Sequence, residues 1–283
     1  MNEPIVSVLN GSRTGLVDMT WDEYRAFPAL NGSCIVHGRK SLLHLKYAWE
    51  HGRPDTDAMQ YGRLIHCLLF EPREVEARYQ SWEGRRAGND YKQFLADAES
   101  TGAEVIKATG QYSLESATEA VQGFLRSARV QALIAAGRAE QTVLAVEDGV
   151  QVKGRLDWVS TAEHVLTDLK TTAEIEPALF GRTFFRYGYD LKMGLYRRWL
   201  NAATHDTWPV ECIVLESSPP YDVAVIPVPD AVLYRGVEKA LRILQRVKRA
   251  LDADQWPGIG DALQLVVPYN EILEDELSGV QEA

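Results

Sequence analysis

Residues 141–169 constrain this chain more tightly than any other stretch. Three segments there (141–147, 150–160 and 163–169) alternate apolar with polar residues and are rich in β-branched side chains. Gly149 and the pair Thr161-Ala162 punctuate them. This pattern predicts three consecutive strands in a meander. Charged residues sit inside them: Asp157 on the second strand, Asp168 and Lys170 at the end of the third. Side chains two residues apart on a strand share a face, so Asp168 and Lys170 point the same way, with Leu166, and Leu169 points the other way. Charges embedded in apolar strands are costly unless they are used or paired.

The flanks carry a helical period. A short helix is expected over 21–27, capped by Thr20 with Glu23 three residues on. Further helices are expected over 41–51, 57–70 (ending near Pro72), and 113–134 as one helix or a pair. After the meander come a long helical region over 177–203, interruptible near Gly188, and two strands at 211–216 and 221–228 around Ser217-Ser218-Pro219-Pro220. A last helix, capped by Asp230, runs to about residue 251. Residues 1–20 read as a loosely ordered start, 73–110 as polar and irregular, and the stretch from Glu271 as an acidic, frayed tail. The whole predicts one α/β domain over 1–283. Its central mixed sheet has about five strands and is flanked by helices. Residues 1–135 form a mainly helical part carrying His66, residues 136–255 the β-meander and helix core, and residues 256–283 the tail.

Composition narrows the class. Hydrophobic residues make up 46% of the 283 and charged residues 25%, ordinary values for a chain with a sizeable core. No apolar run reaches the roughly 18 residues of a membrane span, and residues 1–11 lack the pattern of a signal peptide. The cysteines Cys34, Cys67 and Cys212 are scattered, which argues against a disulfide framework, a zinc ribbon and a cysteine-ligated cluster. A cytoplasmic, membrane-free setting is expected. The net charge of −10 argues against a passive nucleic-acid coat, whose affinity comes from neutralising phosphates. It argues less against an enzyme whose metal-binding carboxylates are themselves the negative charge.

Two carboxylates on adjacent strands suit a hard cation such as Mg²⁺, with Mn²⁺ able to substitute. Lys170 beside them could orient an attacking water and offset phosphate charge, the local equipment for phosphodiester hydrolysis. A lone Asp-x-Lys is often no more than a solvated charge pair, and it is Asp157 on the neighbouring strand that changes its weight.

The order of these motifs resembles the PD-(D/E)xK nuclease superfamily, and within it the RecE-type exonuclease VIII branch. Tyr61-Gly62-Arg63-Leu64-Ile65-His66 followed by Glu71-Pro72 resembles that branch's Gly-x-x-x-His helix. Lys153 to Asp157 resembles its Lys-Gly-Arg-x-Asp strand, and Asp168 to Thr172 its Asp-x-Lys-Thr-Thr strand. Tyr187-Gly188-Tyr189-Asp190-Leu191-Lys192 with Tyr196 resembles its Tyr-Gly-Tyr-x-x-Gln-x-x-x-Tyr helix, except that Lys192 replaces the glutamine. Lysine keeps a phosphate-directed donor but loses the acceptor and the amide geometry. The resemblance covers roughly residues 30–230.

It implies a restriction-endonuclease-like core and Asp157, Asp168 and Lys170 as catalytic residues. It also implies a metal held by His66, Asp157, Asp168 and the Leu169 carbonyl, with Glu140 a further candidate. The implied activity is Mg²⁺-dependent exodeoxyribonuclease action on duplex DNA ends, 5′ to 3′, leaving single strands for recombination. The implied partners are a RecT-like annealing recombinase and further copies of the chain in a ring. Candidate DNA contacts are Lys192, Tyr196, Tyr189, Arg155, Arg85 and Arg86. Arg39, Lys40, Arg197, Arg198 and the stripe Arg242, Arg246, Arg249 are weaker ones, and Trp82 is a candidate wedge for a DNA end. Two alternatives stand beside this reading. One is a Cas4-like or RecB-like nuclease, which the cysteine pattern and chain length oppose, or an endonuclease of the same superfamily. The other is a non-catalytic DNA-binding protein on the same fold.

Overall fold

A computed structural model describes residues 6–9, 12–52 and 55–260, so the expected acidic tail lies outside the described residues. The chain opens with strands β1 (Val6–Leu9) and β2 (Ser12–Val17), where a loose start was expected. β2 lies antiparallel on the first strand of the meander, pairing Gly15 with Leu144. The sequence signal was weak because six residues with a central glycine leave little room for alternation. Helix α1 (Trp21–Ala26) starts on Thr20, whose hydroxyl accepts from the Glu23 N–H while the Glu23 carboxylate accepts from the Thr20 N–H, the capping box the sequence predicts. Then come β3 (Leu30–Asn31), α2 (Gly32–His37, capped by the Asn31 side chain), α3 (Leu42–His51, capped by Ser41) and α4 (Asp57–Phe70, capped by Thr56).

The segment expected to be irregular is ordered. After a 3-10 turn it forms α5 (Val75–Arg78), β4 (Tyr79–Trp82), α6 (Asn89–Thr101) and β5 (Glu104–Lys107), with β4 and β5 paired in parallel as a small second sheet. Its strands are four residues long and α6 buries only Ala98, so no apolar period marks either. The helix pair α7 (Leu114–Phe124) and α8 (Ala128–Ile134) then leads into β6 (Gly137–Glu147), β7 (Val150–Ser160) and β8 (Val165–Thr172). Helices α9 (Pro177–Arg186) and α10 (Tyr189–Thr204) are parted at Gly188, whose φ of 70° only glycine adopts at no cost. Strands β9 (Val210–Glu216) and β10 (Val223–Pro227) and helix α11 (Asp230–Ala253) complete the fold. Pro229, not Asp230, is the N-cap of α11, and the Asp230 carboxylate pairs with Arg197 at 2.5 Å.

Among the described residues the main sheet has eight strands rather than about five, in the order β1-β2-β6-β7-β8-β9-β10, with β3 on β7. β8 with β9 and β3 with β7 are parallel and the other pairs antiparallel, so the sheet is mixed. Helices cover both faces. Leu166, Val210, Cys212 and Val214 face a core with α2, α9, α10 and α11. Val165, Leu169, Ile213 and Leu215 face a second core with α4, α7 and α8. Leu166 and Leu169 thus point to opposite faces, as strand alternation requires. The N-terminal helices contribute to both layers, α2 and α3 on one face and α4, α7 and α8 on the other.

Lys153 belongs to that framework. It is 5% exposed, and its ammonium donates to the carbonyls of Tyr24 at 2.6 Å and Phe27 at 2.7 Å, closing the end of α1 against β7. Lys153→Met leaves the Tyr24 carbonyl without its donor, while Phe27 keeps the Ala29 N–H, and should cost about 2 kcal/mol, measured by urea denaturation. A loss under about 0.5 kcal/mol, within the range of an ordinary surface substitution, would show the contact to be incidental.

Candidate active site

The site begins where two strands part. β7 and β8 pair only over Trp158–Thr167, Val159–Leu166 and Ser160–Val165. Beyond that Asp157 and Asp168 no longer share a ladder. The Leu169 N–H donates instead to Asp157 Oδ2 at 2.9 Å. β8 stays attached to β9 through Thr172, and the edge that β7 presents further on is taken by β3 at Val152 and Lys153. The fork stays open with the Leu169 N–H satisfied by Asp157.

The strand alternation of β6 and β7 inverts at the same level. Leu156 faces the α10 core, whereas Trp158 packs into the α4 core. Across the hairpin, Ala139 pairs with Trp158 and Gln141 with Leu156, and between them Glu140 has a φ of 49°. Glu140 therefore stands beside Asp157, and its carboxylate turns into the fork.

His66 arrives from α4. That helix lies close to β8, where a Cβ on Gly62 would meet Thr171 Oγ1 at 3.3 Å. One turn on, His66 Nε2 lies 3.2 Å from the Leu169 carbonyl oxygen and 3.7 Å from Asp157 Oδ2, and Nδ1 lies 3.9 Å from Glu140 Oε1. The ring rests edge-on against Phe70, which stacks on Trp158. His66, Glu140 and Asp157 offer ligand atoms all within 4.8 Å of one another, with the Leu169 carbonyl alongside. Imidazole and carboxylate donors suit a divalent cation. Glu140, the weakest of the sequence candidates, is a full member of this group, and Asp168 is not.

Asp168 is 3% exposed and held by lysines. Lys170 Nζ is hydrogen-bonded to its Oδ1 and also donates to the Leu169 carbonyl at 2.9 Å. Lys192 Nζ, from α10, lies 3.4 Å from Oδ2. That is ion-pair range without hydrogen-bond alignment, so Oδ2 is a buried acceptor with no hydrogen-bond donor among the described residues. The fit to a cation rests on the other donors, a histidine, two carboxylates and the Leu169 carbonyl converging on one point. Burial pushes the Lys170 ammonium down to about 8, assisted by the charge on Lys192. Burial alone would raise the Asp157 carboxyl, but His66, Lys192, Lys170 and the Leu169 N–H outweigh it and hold it below the usual carboxylate range. For Lys192 burial is likewise outweighed, chiefly by Tyr196 and Asp157, and its ammonium is held above the ordinary lysine value.

Several expected DNA contacts are occupied otherwise. Arg155 Nε pairs with Glu140 Oε2 at 2.8 Å, an N–H of Nη1 donates to the Met19 carbonyl, and the guanidinium lies over the rings of Trp21 and Tyr24. It aims Glu140 and does not face solvent. Tyr196 is buried, its ring on Gly154, where a Cβ would come within 2.9 Å of Cε1. The glycine of the Lys-Gly-Arg-x-Asp strand thus makes room for the tyrosine seven residues after Tyr189. Tyr189 is half-buried, with Lys170 Nζ 5.0 Å from its ring centre. Arg86 is tied to Asp57 and to the Val105 carbonyl, while Arg85 is exposed. Trp82 packs on Tyr91 and Phe94 and is not a free wedge. Arg39 closes the end of α9 through the Phe185 and Arg186 carbonyls, Arg197 pairs with Asp230, and Arg198 pairs with Glu147. Lys40 and the stripe Arg242, Arg246 and Arg249 are exposed.

The Arg155–Glu140 clamp escaped sequence reading, although register contained it. Counting back from the Asp148-Gly149 turn puts Glu140 opposite Asp157, flanked by the observed pairs.

The chain belongs to the family described as a PDDEXK-like domain of unknown function (DUF3799), whose model matches residues 38–266. A solved structure of a candidate exonuclease from Eubacterium rectale superposes with a TM-score of 0.62 at 13% identity, over 89% of this chain and 97% of that one. It shares the fold. A phage-related exonuclease from Haemophilus somnus 129PT gives a TM-score of 0.34 at 12% identity, over 80% of this chain and 96% of that one, too distant to add to the argument. No curated protein matches. The fold is therefore that of the PD-(D/E)xK nucleases, which use divalent metals, and among the described residues no helix is long and apolar enough to cross a membrane.

Residues that orient a metal ligand typically change affinity 10- to 100-fold when removed. Arg155→Met should weaken Mn²⁺ binding by about tenfold, measured calorimetrically, while DNA affinity in EDTA stays near the wild-type value. Unchanged Mn²⁺ affinity with weakened DNA binding would return Arg155 to the role of a phosphate contact.

Proposed function

We propose that this protein is a metal-dependent exodeoxyribonuclease acting on duplex DNA ends. The observation that carries the reading is the convergence, in the β7–β8 fork, of Asp157, Asp168 and Lys170 with His66 and Glu140. A divalent cation bound by His66, Glu140, Asp157 and the Leu169 carbonyl would polarise a phosphate and favour ionisation of water. The chain's own groups account for the rest. Lys170, whose ammonium burial pushes down to about 8, is placed to take a proton from the attacking water when it is in its neutral amine form. The water oxygen bonds to phosphorus, the bond to the leaving sugar oxygen breaks, and that oxygen takes up a proton from solvent. The products are a phosphate monoester and a free hydroxyl. Lys192 and Tyr189 line the approach to Lys170 and are the groups we assign to holding the phosphate.

The RecE-type motif order supports finer statements of the same proposal. These are 5′-to-3′ polarity, Mg²⁺ as the working ion, a ring of copies around the duplex, and delivery of single strands to a RecT-like annealing protein in the cytoplasm. A ring would also let an acidic chain gather its basic groups around a channel.

A time course on end-labelled linear duplex with Mg²⁺ tests this. Hydrolysis should start at ends, spare closed circular DNA and stop with EDTA. Asp157→Asn, Asp168→Ala and Lys170→Ala should each lower it by at least about 10²-fold, the range for losing a proton-transfer or electrostatic group. Equal nicking of circular DNA would make the protein an endonuclease. Mn²⁺ binding with no hydrolysis of any DNA would make it a binding protein.

A further inference from the structure

We propose that this protein works with a single divalent cation, and that the Lys192 ammonium fills the place a second one would take beside Asp168. The inference rests on the nuclease reading above and concerns how that site is charged.

Two-ion phosphodiester hydrolysis needs a carboxylate reachable from two sides and oxygen ligands on each side. Here the two sides differ. On one, His66, Glu140 and Asp157 converge within 4.8 Å, and they are the single group of three such ligands among the described residues. On the other stands Asp168, outside that group, with an ammonium at each oxygen: Lys170 on Oδ1 and Lys192 3.4 Å from Oδ2. A second cation at Asp168 Oδ2 would face a lysine in place of further oxygen ligands. On the strand beside it Asp168 is paired with Cys212, whose soft sulfur is a poor ligand for a hard ion.

Lys192 is built into this position. Its stem passes Gly32, where a Cβ would meet Lys192 Cγ at 3.4 Å, and its ammonium lies 5.1 Å from the centre of the Tyr196 ring. Tyr196 is in turn fixed on Gly154. The side chain is 19% exposed and its charge is compensated locally. Three carboxylates (Glu140, Asp157, Asp168) meet three fixed cations (Arg155, Lys170, Lys192). One divalent ion makes the site positive enough to receive a phosphate, whereas a second would add two further charges against the Lys192 ammonium. A glutamine at 192, which the motif otherwise carries, would remove that repulsion and offer a carbonyl oxygen as a ligand.

Titration of the full-length protein with Mn²⁺, followed by electron paramagnetic resonance, counts bound ions directly. The wild type should bind one ion per chain with an uncoupled spectrum. Lys192→Gln should bind two, with the broadened spectrum of a spin-coupled pair. Lys192→Met, which removes the charge without supplying a ligand, should bind a second ion more weakly than Lys192→Gln. Two ions in the wild type, or one ion in both folded variants, overturns the proposal. Circular dichroism checks that the variants fold, and the wild-type count decides the matter even if neither does. A wild type that digests linear duplex while holding two ions refutes this inference alone. A wild type that binds no Mn²⁺ and digests nothing refutes the nuclease reading with it.

Discussion

The hydrogen bond from the Leu169 N–H to the Asp157 carboxylate is the contact on which the rest of the site depends. Two antiparallel strands that begin paired would ordinarily continue, because each backbone group left over is costly when buried. β7 and β8 stop after three residue pairs. The side chain of Asp157 replaces the backbone acceptor that Leu169 would have met, and β3 replaces the partner that β7 would have had. With the donor satisfied, the strands can diverge without penalty. The gap between them is where His66, Glu140 and the lysines come together.

Charge sets the second condition. Two carboxylates about 4 Å apart repel by roughly 4 kcal/mol at the effective dielectric of a protein surface. Glu140, Asp157 and Asp168 crowd one fork. The chain answers with cations from separate elements: Arg155 from the strand that carries Asp157, Lys170 from β8 and Lys192 from α10. Each has a fixed carboxylate partner, so the apo site is near neutral although the chain as a whole carries −10. A duplex would meet a compensated pocket rather than the acidic average.

Strands β6, β7 and β8 were legible because they are long, apolar and alternating, with charges standing out against them. Asp168 and Lys170 could be placed on one face from spacing alone, and Leu166 and Leu169 do face opposite cores. His66 was legible only through motif order, since nothing in helical period tells a ligand from a packed histidine. The β1–β2 hairpin and the β4–β5 sheet were not legible. Their strands of four to six residues owe their structure to the neighbours they meet rather than to their own period. The roles of Arg155 and Tyr196 were misjudged for a common reason. An arginine and a tyrosine near a phosphate site read as ligands for the substrate, whereas here one fills its valence on Glu140 and the other fills the void over Gly154. Spacing gives the face of an element; it does not give what the opposite layer brings to that face.

The two helical layers that meet at the fork are far apart in synthesis. α4 with His66 leaves the ribosome about a hundred residues before the Leu169 carbonyl it faces, and α10 with Lys192 follows later still. Contacts of such sequence separation close late, after much of the loop entropy has been lost. A nascent chain therefore carries its carboxylates unassembled until α10 has docked. The same architecture that brings side chains to the fork from both faces of the sheet leaves the site incomplete in a chain that stops before α10.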